Sequence, residues 1–155
     1  MKDRNIKAFL TTMFIRQNKW HAHSVIGHTI KVTYELIKKG RFDLVPAGIL
    51  HDIAKPLSAH HDEEDIKEGL DHFSFTNHEI FGYHVIKNWG FISDYTKNIV
   101  RHHYLIRGMY KAKKKDNLPK YRRLKRIWDK LDDDFKADLG VFMACDDLGK
   151  KAWFV

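Results

Sequence analysis

The sequence predicts an all-α protein, a single helical bundle of about six or seven helices. Three observations predict this class. Apolar residues recur at intervals of three and four along most of the chain, alternation typical of strands does not persist, and no repeat or low-complexity linker interrupts the pattern. The 155 residues suit one domain over 1–155, and a hydrophobic fraction of 43% is enough for a core.

The expected helices follow one another with short connections. Their approximate bounds are 4–16, 22–39, 44–54, 76–88, 93–104, 120–132 and 134–149. The longest connections are a polar, acidic stretch over 57–75 and a basic loop over 106–119.

Apolar spacing and stop signals define the first three helices. The 4–16 stretch is amphipathic, and in the second helix Val25, Val32 and Leu36 share one face. Gly40 follows the second helix as a natural stop. The third helix is expected to end before Pro56, because the residue before a proline avoids the α region.

Caps and breakers define the remaining helices. Thr76 and Glu79 have the spacing of a capping box, which predicts a helix start at 76. Ser93 can cap the next helix, and Gly149 closes the last one. A glycine and a proline within 106–119 indicate a loop there.

The net charge of +8 is unevenly distributed. Residues 97–130 hold 13 Lys or Arg and only Asp116 and Asp129, which gives +11 locally and leaves −3 elsewhere. Such a region favours anionic partners such as phosphates, nucleotides or nucleic acid, although a solvated basic loop is an equally simple reading. Tyr110 and Tyr121 are interleaved with the charges of segment 106–126 and could stack on bases.

Several classes of protein are disfavoured. No apolar run approaches the roughly 18 residues of a membrane span, so no membrane partner is expected. The N-terminal stretch is charged and lacks a signal-peptide core, and the single cysteine, Cys145, allows no internal disulfide. A reduced, cytoplasmic location is therefore expected.

The stretch "AGILHDIAKP" contains the strongest candidate site. His51 and Asp52 lie side by side in an apolar run, and buried charge is costly unless it is paired or bound to metal. Ala47 and Gly48, one turn earlier, are small enough to leave space for a ligand. Lys55, one turn after His51, can reach the same space.

Further residues of the types that bind metals lie on helix faces that are expected to point toward the core. They are His28, His78, His102, His103 and Asp146 or Asp147, and periodicity does not choose between the two aspartates. Several such residues in one small domain argue for a shared metal site. Imidazole and carboxylate without thiolate suit one or two ions of Mn, Fe, Co, Ni, Mg or Zn in an open catalytic site. A structural role is expected for His21, His23, His60, His61, His72 and His84. The alternatives are that His21, seven residues before His28, approaches the site, and that His60, His61 and His72 move over it as a lid.

The series H28…H51-D52…D146 resembles the signature of the HD-domain metal-dependent phosphohydrolases. With His78 and His102 or His103 it resembles the extended form, which can hold two metals. The blocks "AGILHDIAKP", "DHFSFTNHEIFGYHVI", "IVRHHY" and "ACDDLGK" are similar to the HD domain of bacterial tRNA nucleotidyltransferases, over about residues 24–150. The expected fold is therefore an HD-domain helical bundle.

The resemblance also implies roles for these residues. A first metal would be held by His28, His51, Asp52 and Asp146, the aspartate that "ACDDLGK" favours. Asp52 could bridge to a second metal, completed by His78 and by His102, His103 or both. Lys55 would contact a substrate phosphate, for which Arg101 and Arg107 are further candidates.

The implied activity is hydrolysis of a phosphomonoester or phosphodiester of a nucleotide, of the nucleotidase or 2′,3′-cyclic phosphodiesterase type, with metal-activated water. No nucleotidyltransferase head precedes the motifs, so CCA addition is not expected, and the absence of a GYP motif after "HHY" argues against cyclic di-GMP phosphodiesterases. Two alternatives stay open. One is a metal-dependent single-strand nuclease that uses segment 106–126, and the other is a basic nucleic-acid-binding module with a vestigial site.

Overall fold

A computed structural model of the chain describes residues 14, 17, 21–61, 63–67, 69 and 73–153. The helices are α1 (Val25–Lys38), α2 (Val45–Leu50), α3 (Lys55–Ser58), α4 (Glu63–Lys67), α5 (His78–Ile86), α6 (Asp94–His102), α7 (Leu105–Lys114), α8 (Leu118–Trp128) and α9 (Asp133–Gly149). A 3-10 turn at Phe42–Leu44 precedes α2. The all-α class is confirmed, and seven of these helices have at least six residues.

One small antiparallel sheet accompanies the helices. Strands β1 (Ala59–His60) and β2 (Ser74–Phe75) pair so that Ala59 faces Phe75 and His60 faces Ser74. The expected 57–75 connection thus carries α4 and this sheet. The amphipathic stretch expected over 4–16 falls outside the described residues except at Phe14, as does His72.

The core lies where α1, α2, α6 and α9 meet. Helix α1 packs against α9 and α2, and α2 also packs against α6. The fully buried core residues are Val32, Leu36, Leu44, Ala47, Ile86, Ile99, Val100, Leu139, Phe142 and Cys145. Burial of each large apolar side chain contributes roughly 1.5–3 kcal/mol, so this cluster fixes the helices that carry the candidate site.

Several predicted boundaries are confirmed. Ser93 caps α6 by accepting from the Thr96 N–H at 3.1 Å. Gly40 follows α1 with a φ of 70°, a conformation that costs little only for glycine. Gly149 is the last residue of α9.

The helix expected over 44–54 is shorter in the structure. It ends at Leu50, and the chain turns through His51–Ala54 before α3 begins at Lys55. The Lys55 N–H donates to the Asp52 carbonyl at 3.0 Å, which closes a tight turn there. Pro56 occupies the first turn of α3, where a missing N–H costs nothing.

The expected role of Ala47 and Gly48 was wrong. Both residues are buried, and a Cβ on Gly48 would lie 2.7 Å from Leu36 Cδ1 and 3.3 Å from Thr33 Oγ1. The missing side chain of Gly48 therefore lets α1 approach α2 closely, and Ala47 lies in the core, so neither residue opens space for a ligand.

The predicted capping box at Thr76 is also wrong. Helix α5 begins at His78, and its N-cap is Asn77, which has a φ of 58° and no side-chain capping bond. Thr76 Oγ1 lies 3.5 Å from His60 Nε2 instead. Strand pairing holds the chain extended through Phe75, so the helix starts later.

The basic loop expected over 106–119 is helical over most of its length. Gly108 lies inside α7, where a Cβ would be 3.1 Å from Leu124 Cδ1 of α8. Pro119 stands in the first turn of α8. Gly108 therefore serves close packing of the two helices and does not break α7. None of the helices in the described ranges is long and apolar enough to cross a membrane.

Candidate metal centre

Six buried donors converge from five parts of the bundle. They are His28 in α1, His51 and Asp52 in the turn after α2, His78 at the start of α5, His103 directly after α6, and Asp146 in α9. Each has less than a tenth of its surface exposed. A cluster of this kind is too costly to bury without partners of opposite charge or a bound cation.

The first donor group consists of His28, His51 and Asp146. One ligand atom from each lies within 4.8 Å of the others. His28 Nε2 is 2.9 Å from Asp146 Oδ1 and 3.3 Å from His51 Nε2. The three side chains therefore point at a common space.

The second donor group consists of Asp52, His78 and His103, whose ligand atoms also lie within 4.8 Å of one another. His78 Nε2 is 3.1 Å from His103 Nε2. His78 Nε2 also lies 3.5 Å from Asp52 Oδ1.

Asp52 faces both donor groups. Its Oδ2 is 3.1 Å from His51 Nε2 and 3.6 Å from His28 Nε2, whereas its Oδ1 faces His78. One carboxylate can thus contribute an oxygen to each group.

Backbone carbonyls orient three of the imidazoles. The Nδ1 atoms of His51, His78 and His103 lie 2.8, 3.1 and 2.7 Å from the carbonyl oxygens of Gly48, Phe75 and Val100. A carbonyl can only accept, so we assign the proton to each Nδ1, which leaves the Nε2 lone pair directed at the centre. This is the arrangement by which metal-binding histidines are usually fixed.

The donor set fits divalent cations. With Nδ1 protonated, the Nε2 lone pairs of His78 and His103 face each other at 3.1 Å and repel unless a proton or cation lies between them. Imidazole and carboxylate donors suit Mn, Fe, Co, Ni, Mg or Zn.

Burial and neighbouring charge set the protonation of the centre. Burial lowers the pKa of His78 to about 4 and of His103 to about 3, so both imidazoles are neutral near pH 7. Burial would raise the pKa of Asp146, but His28 and Arg107 hold it well below its usual range. Burial likewise opposes ionisation of Asp52, whose pKa His51 and Lys55 keep low. Burial opposes charge on His51 as well, yet the Asp52 carboxylate raises the pKa of that imidazole.

The structure places Lys55 beside the centre. Its buried ammonium lies 2.6 Å from Asp52 Oδ2, donates to Gln17 Oε1, and sits 5.2 Å from the Phe75 ring centre. A fixed positive charge is therefore held against the carboxylate shared by the two donor groups.

The two arginines expected to contact phosphate behave differently. Arg107 Nη2 lies 3.0 Å from Asp146 Oδ2 and 2.7 Å from Asp147 Oδ1, so it is tied to a donor of the first group. Arg101 is exposed, and its guanidinium stacks on the Tyr83 ring at 4.9 Å. The structure brings Arg107 to the centre and does not bring Arg101 there.

The structure distinguishes His102 from His103 and Asp146 from Asp147, which helical periodicity in the sequence could not do. His102 directs its Nδ1 to the Asn98 carbonyl at 2.9 Å and its ring edge to Phe135, and it joins neither donor group. His103 joins the second. The Asp146 side chain is 11% exposed and the Asp147 side chain 54%, so Asp146 alone lies inside the centre.

Three neighbours of the centre, namely Gln17, His21 and Gly149, were not among the site residues that the sequence predicted. The His21 ring meets the His28 ring edge-on at 5.2 Å, and burial lowers the pKa of His21 to about 3. A Cβ on Gly149 would lie 3.0 Å from the His28 ring and 2.4 Å from Val32 Cγ2. The i+7 spacing of His21 and His28 indicated that His21 could approach the site, whereas no feature of the sequence indicated a contact from Gln17 or close packing at Gly149.

Comparison with known families identifies the family of the chain. Residues 25–134 match the HD domain family. Comparisons with curated proteins and with solved structures find no match. The matched range contains every donor except Asp146, which follows it on α9. Since the match covers well over half of the chain, the protein belongs to the HD-domain family, in the superfamily of metal-dependent phosphohydrolases.

Proposed function

We propose that residues 1–155 form one domain that hydrolyses a phosphomonoester or phosphodiester of a nucleotide, as a divalent-metal-dependent nucleotidase or 2′,3′-cyclic phosphodiesterase. Family membership supports the reaction class. The observation that carries the proposal is the position of Asp52, whose two oxygens face the two donor groups. A reducing, cytoplasmic location suits the single, buried cysteine, Cys145.

The donor groups define where cations would bind. The first cation would be held by His28, His51, Asp146 and Asp52 Oδ2, and the second by Asp52 Oδ1, His78 and His103. When bound, such ions would supply positive charge that neutralises phosphate oxygens. They would also lower the pKa of a bound water, so that hydroxide is available near neutral pH.

The chain itself contributes fixed charge and substrate contacts. The Lys55 ammonium, held by Asp52 and Gln17, is placed to offset negative charge that develops on a phosphate oxygen. Because the charge is already oriented, little reorganisation is needed during phosphoryl transfer.

An apolar groove supports a substrate with an organic group as well as a phosphate. Asp52 also lines this groove, which has a volume of about 450 Å³ and is walled by Ile26, Ile30, Tyr34 and Ile53. A volume of this size is in the range of small-molecule sites. The apolar face of a nucleobase could pack there while its phosphate lies at the donor groups.

The direct test is a screen of nucleotides, cyclic nucleotides and short oligonucleotides with added Mn²⁺, Co²⁺, Ni²⁺ or Mg²⁺. Metal analysis of the purified protein accompanies the screen. His51→Ala serves as the blank, and His84→Ala, which changes an exposed histidine, is the matched control. We expect metal-dependent hydrolysis of at least one compound by wild type and His84→Ala only.

Two results would contradict the proposal. One is uniform inactivity on every phosphate compound, which would favour a binding module with a vestigial site. The other is full activity of His51→Ala or of the metal-free protein, which would show that hydrolysis does not depend on the donor groups.

A further inference from the structure

Helices α7 and α8 present a dense cationic surface. Eight exposed basic side chains form it, namely Lys111, Lys113, Lys114, Lys115, Lys120, Arg122, Arg123 and Arg126. None of them forms an ion pair with an acidic side chain in the described ranges, whereas Lys125 does pair with Asp129. The positive charge of this cationic surface is therefore available to a partner.

The cationic side chains are not needed to hold the bundle together. Helix α8 has no buried residue, and its main packing partner is α7, against which Leu124 meets Gly108. Repulsion among so many like charges disfavours the compact state. A surface that costs stability and adds nothing to the core is best explained by binding of an anion.

One face of α7 connects this surface to the metal centre. Tyr104, Arg107 and Lys111 are spaced i, i+3 and i+7, so they lie in one row. The Tyr104 ring is 5.6 Å from the His78 ring, and Lys111 Nζ donates to the Tyr104 hydroxyl at 2.8 Å. Arg107 contacts Asp146 at 3.0 Å.

The row continues outward from the centre to Lys114. At about 1.5 Å per residue, ten residues of helix cover roughly 15 Å. A single mononucleotide does not need charge over this length, whereas a chain of phosphates does. Lysines and arginines that follow a phosphate backbone bind it largely by releasing counterions.

We propose that the cationic surface binds a single-stranded nucleic acid and directs one of its phosphates to the metal centre. A single strand is favoured because Tyr110, which is 66% exposed among the lysines, offers a ring on which an unpaired base can stack. The inference replaces the mononucleotide of the proposed function by a nucleic-acid strand, and it rests on that function for the metal-dependent hydrolysis of a phosphodiester.

The test measures binding of a fluorescent single-stranded oligonucleotide by anisotropy, across about 50 to 200 mM salt. Two double variants remove cations from the surface, Lys114→Ala with Lys115→Ala and Arg122→Ala with Arg123→Ala. The matched control, Lys38→Ala with Lys39→Ala, removes the same charge from exposed positions at the end of α1. Hydrolysis of bis(4-nitrophenyl) phosphate with Mn²⁺ is measured on every protein.

We expect each surface variant to bind about tenfold more weakly at low salt and to lower the slope of log K against log salt by about two, one for each lost phosphate contact. The control variant should bind like wild type. Hydrolysis of the small diester should be unchanged in all of them, because none of the changed residues touches the donor groups. Wild type with added Mn²⁺ should also cut the bound oligonucleotide.

Four outcomes would overturn the inference, the first three of which concern binding. They are absence of oligonucleotide binding by wild type, equal weakening by the control variant, and tighter binding of an acidic polypeptide such as polyglutamate. Cleavage of the small diester with no cleavage of a bound oligonucleotide would also overturn it. Normal binding with no metal-dependent hydrolysis of either compound, or of any compound in the nucleotide screen, would instead overturn the proposed function and support the binding surface.

Discussion

The two donor groups of the metal centre differ in how their negative charge is supplied. The first donor group has its own carboxylate, Asp146, and Asp52 Oδ2 lies within 3.6 Å of both of its imidazoles. The second donor group sets Asp52 Oδ1 beside two neutral histidines, His78 and His103. Because carboxylates attract divalent cations most strongly, the first group should bind its cation more tightly.

The groups also differ in their surroundings. Around the first, Arg107 holds Asp146 and the Gly149 backbone packs against the His28 ring. The second lies where α5 begins and α6 ends, with its imidazoles held by carbonyls. From this difference we predict that an ion at the first group would be held tightly and that an ion at the second group would exchange more readily.

Removal of the shared carboxylate should have the largest effect. Asp52→Asn keeps the shape of the side chain and removes a charge from both donor groups. Replacing a residue that merely orients a ligand costs about 10–100-fold, so loss of this carboxylate should lower metal-dependent hydrolysis by more than about a hundredfold. Asp134→Asn, an exposed aspartate on α9, is the control. Near-normal activity of Asp52→Asn with full metal content would show that the two groups do not share this residue.

Substitution of a residue in the second donor group should affect the cation of that group and leave the cation of the first group bound. His103→Ala should lower the metal content by one ion per chain and reduce hydrolysis by about 10–100-fold, while the tighter cation stays bound. His102→Ala, the adjacent histidine outside both groups, should leave metal content and activity unchanged. Calorimetric titration of the metal-free proteins with Mn²⁺ gives both affinities. If His102→Ala has the larger effect, the division into two groups is wrong.

Packing at the end of α9 should affect the first group alone. In Gly149→Ala the new Cβ would meet Val32 Cγ2 at 2.4 Å and the His28 ring at 3.0 Å, so overpacking should destabilise the protein by about 1–3 kcal/mol. Displacement of His28 should also weaken the tighter cation. Gly140→Ala in the same helix has no atom within 4 Å of its Cβ and should stabilise α9 by about 0.5–1 kcal/mol. Denaturant unfolding of the metal-free proteins measures both changes, and equal stabilities would contradict the close contact at His28.

The inward-facing donors of long helices could be predicted from the sequence. His28 lies on the buried face of α1, and Asp146, chosen by the family resemblance, lies inside the centre. His103 could not be separated from His102, because α6 ends at His102 and helical spacing no longer applies beyond it.

Features that depend on contacts distant in the sequence could not be predicted. Gly108 looked like a loop residue, and only the close approach of Leu124 explains a glycine inside α7. Gly48 looked like space for a ligand, but the space is filled by Leu36. A glycine in a sequence marks where a side chain is excluded, and the partner that excludes it is set by tertiary packing.

The smallest expected effect distinguishes two roles for Arg107. The structure ties its guanidinium to Asp146 and Asp147, which makes it a positioning residue for the first donor group, whereas the sequence predicted a contact with substrate phosphate. In Arg107→Gln we therefore expect the affinity for the tighter cation to fall by about tenfold, with KM little changed once metal is saturating. Arg101→Gln, which removes an arginine stacked on Tyr83, should change neither quantity. A raised KM with unchanged cation affinity would instead show that Arg107 contacts the substrate phosphate. The first donor group would then differ from the second only because it contains the carboxylate of Asp146.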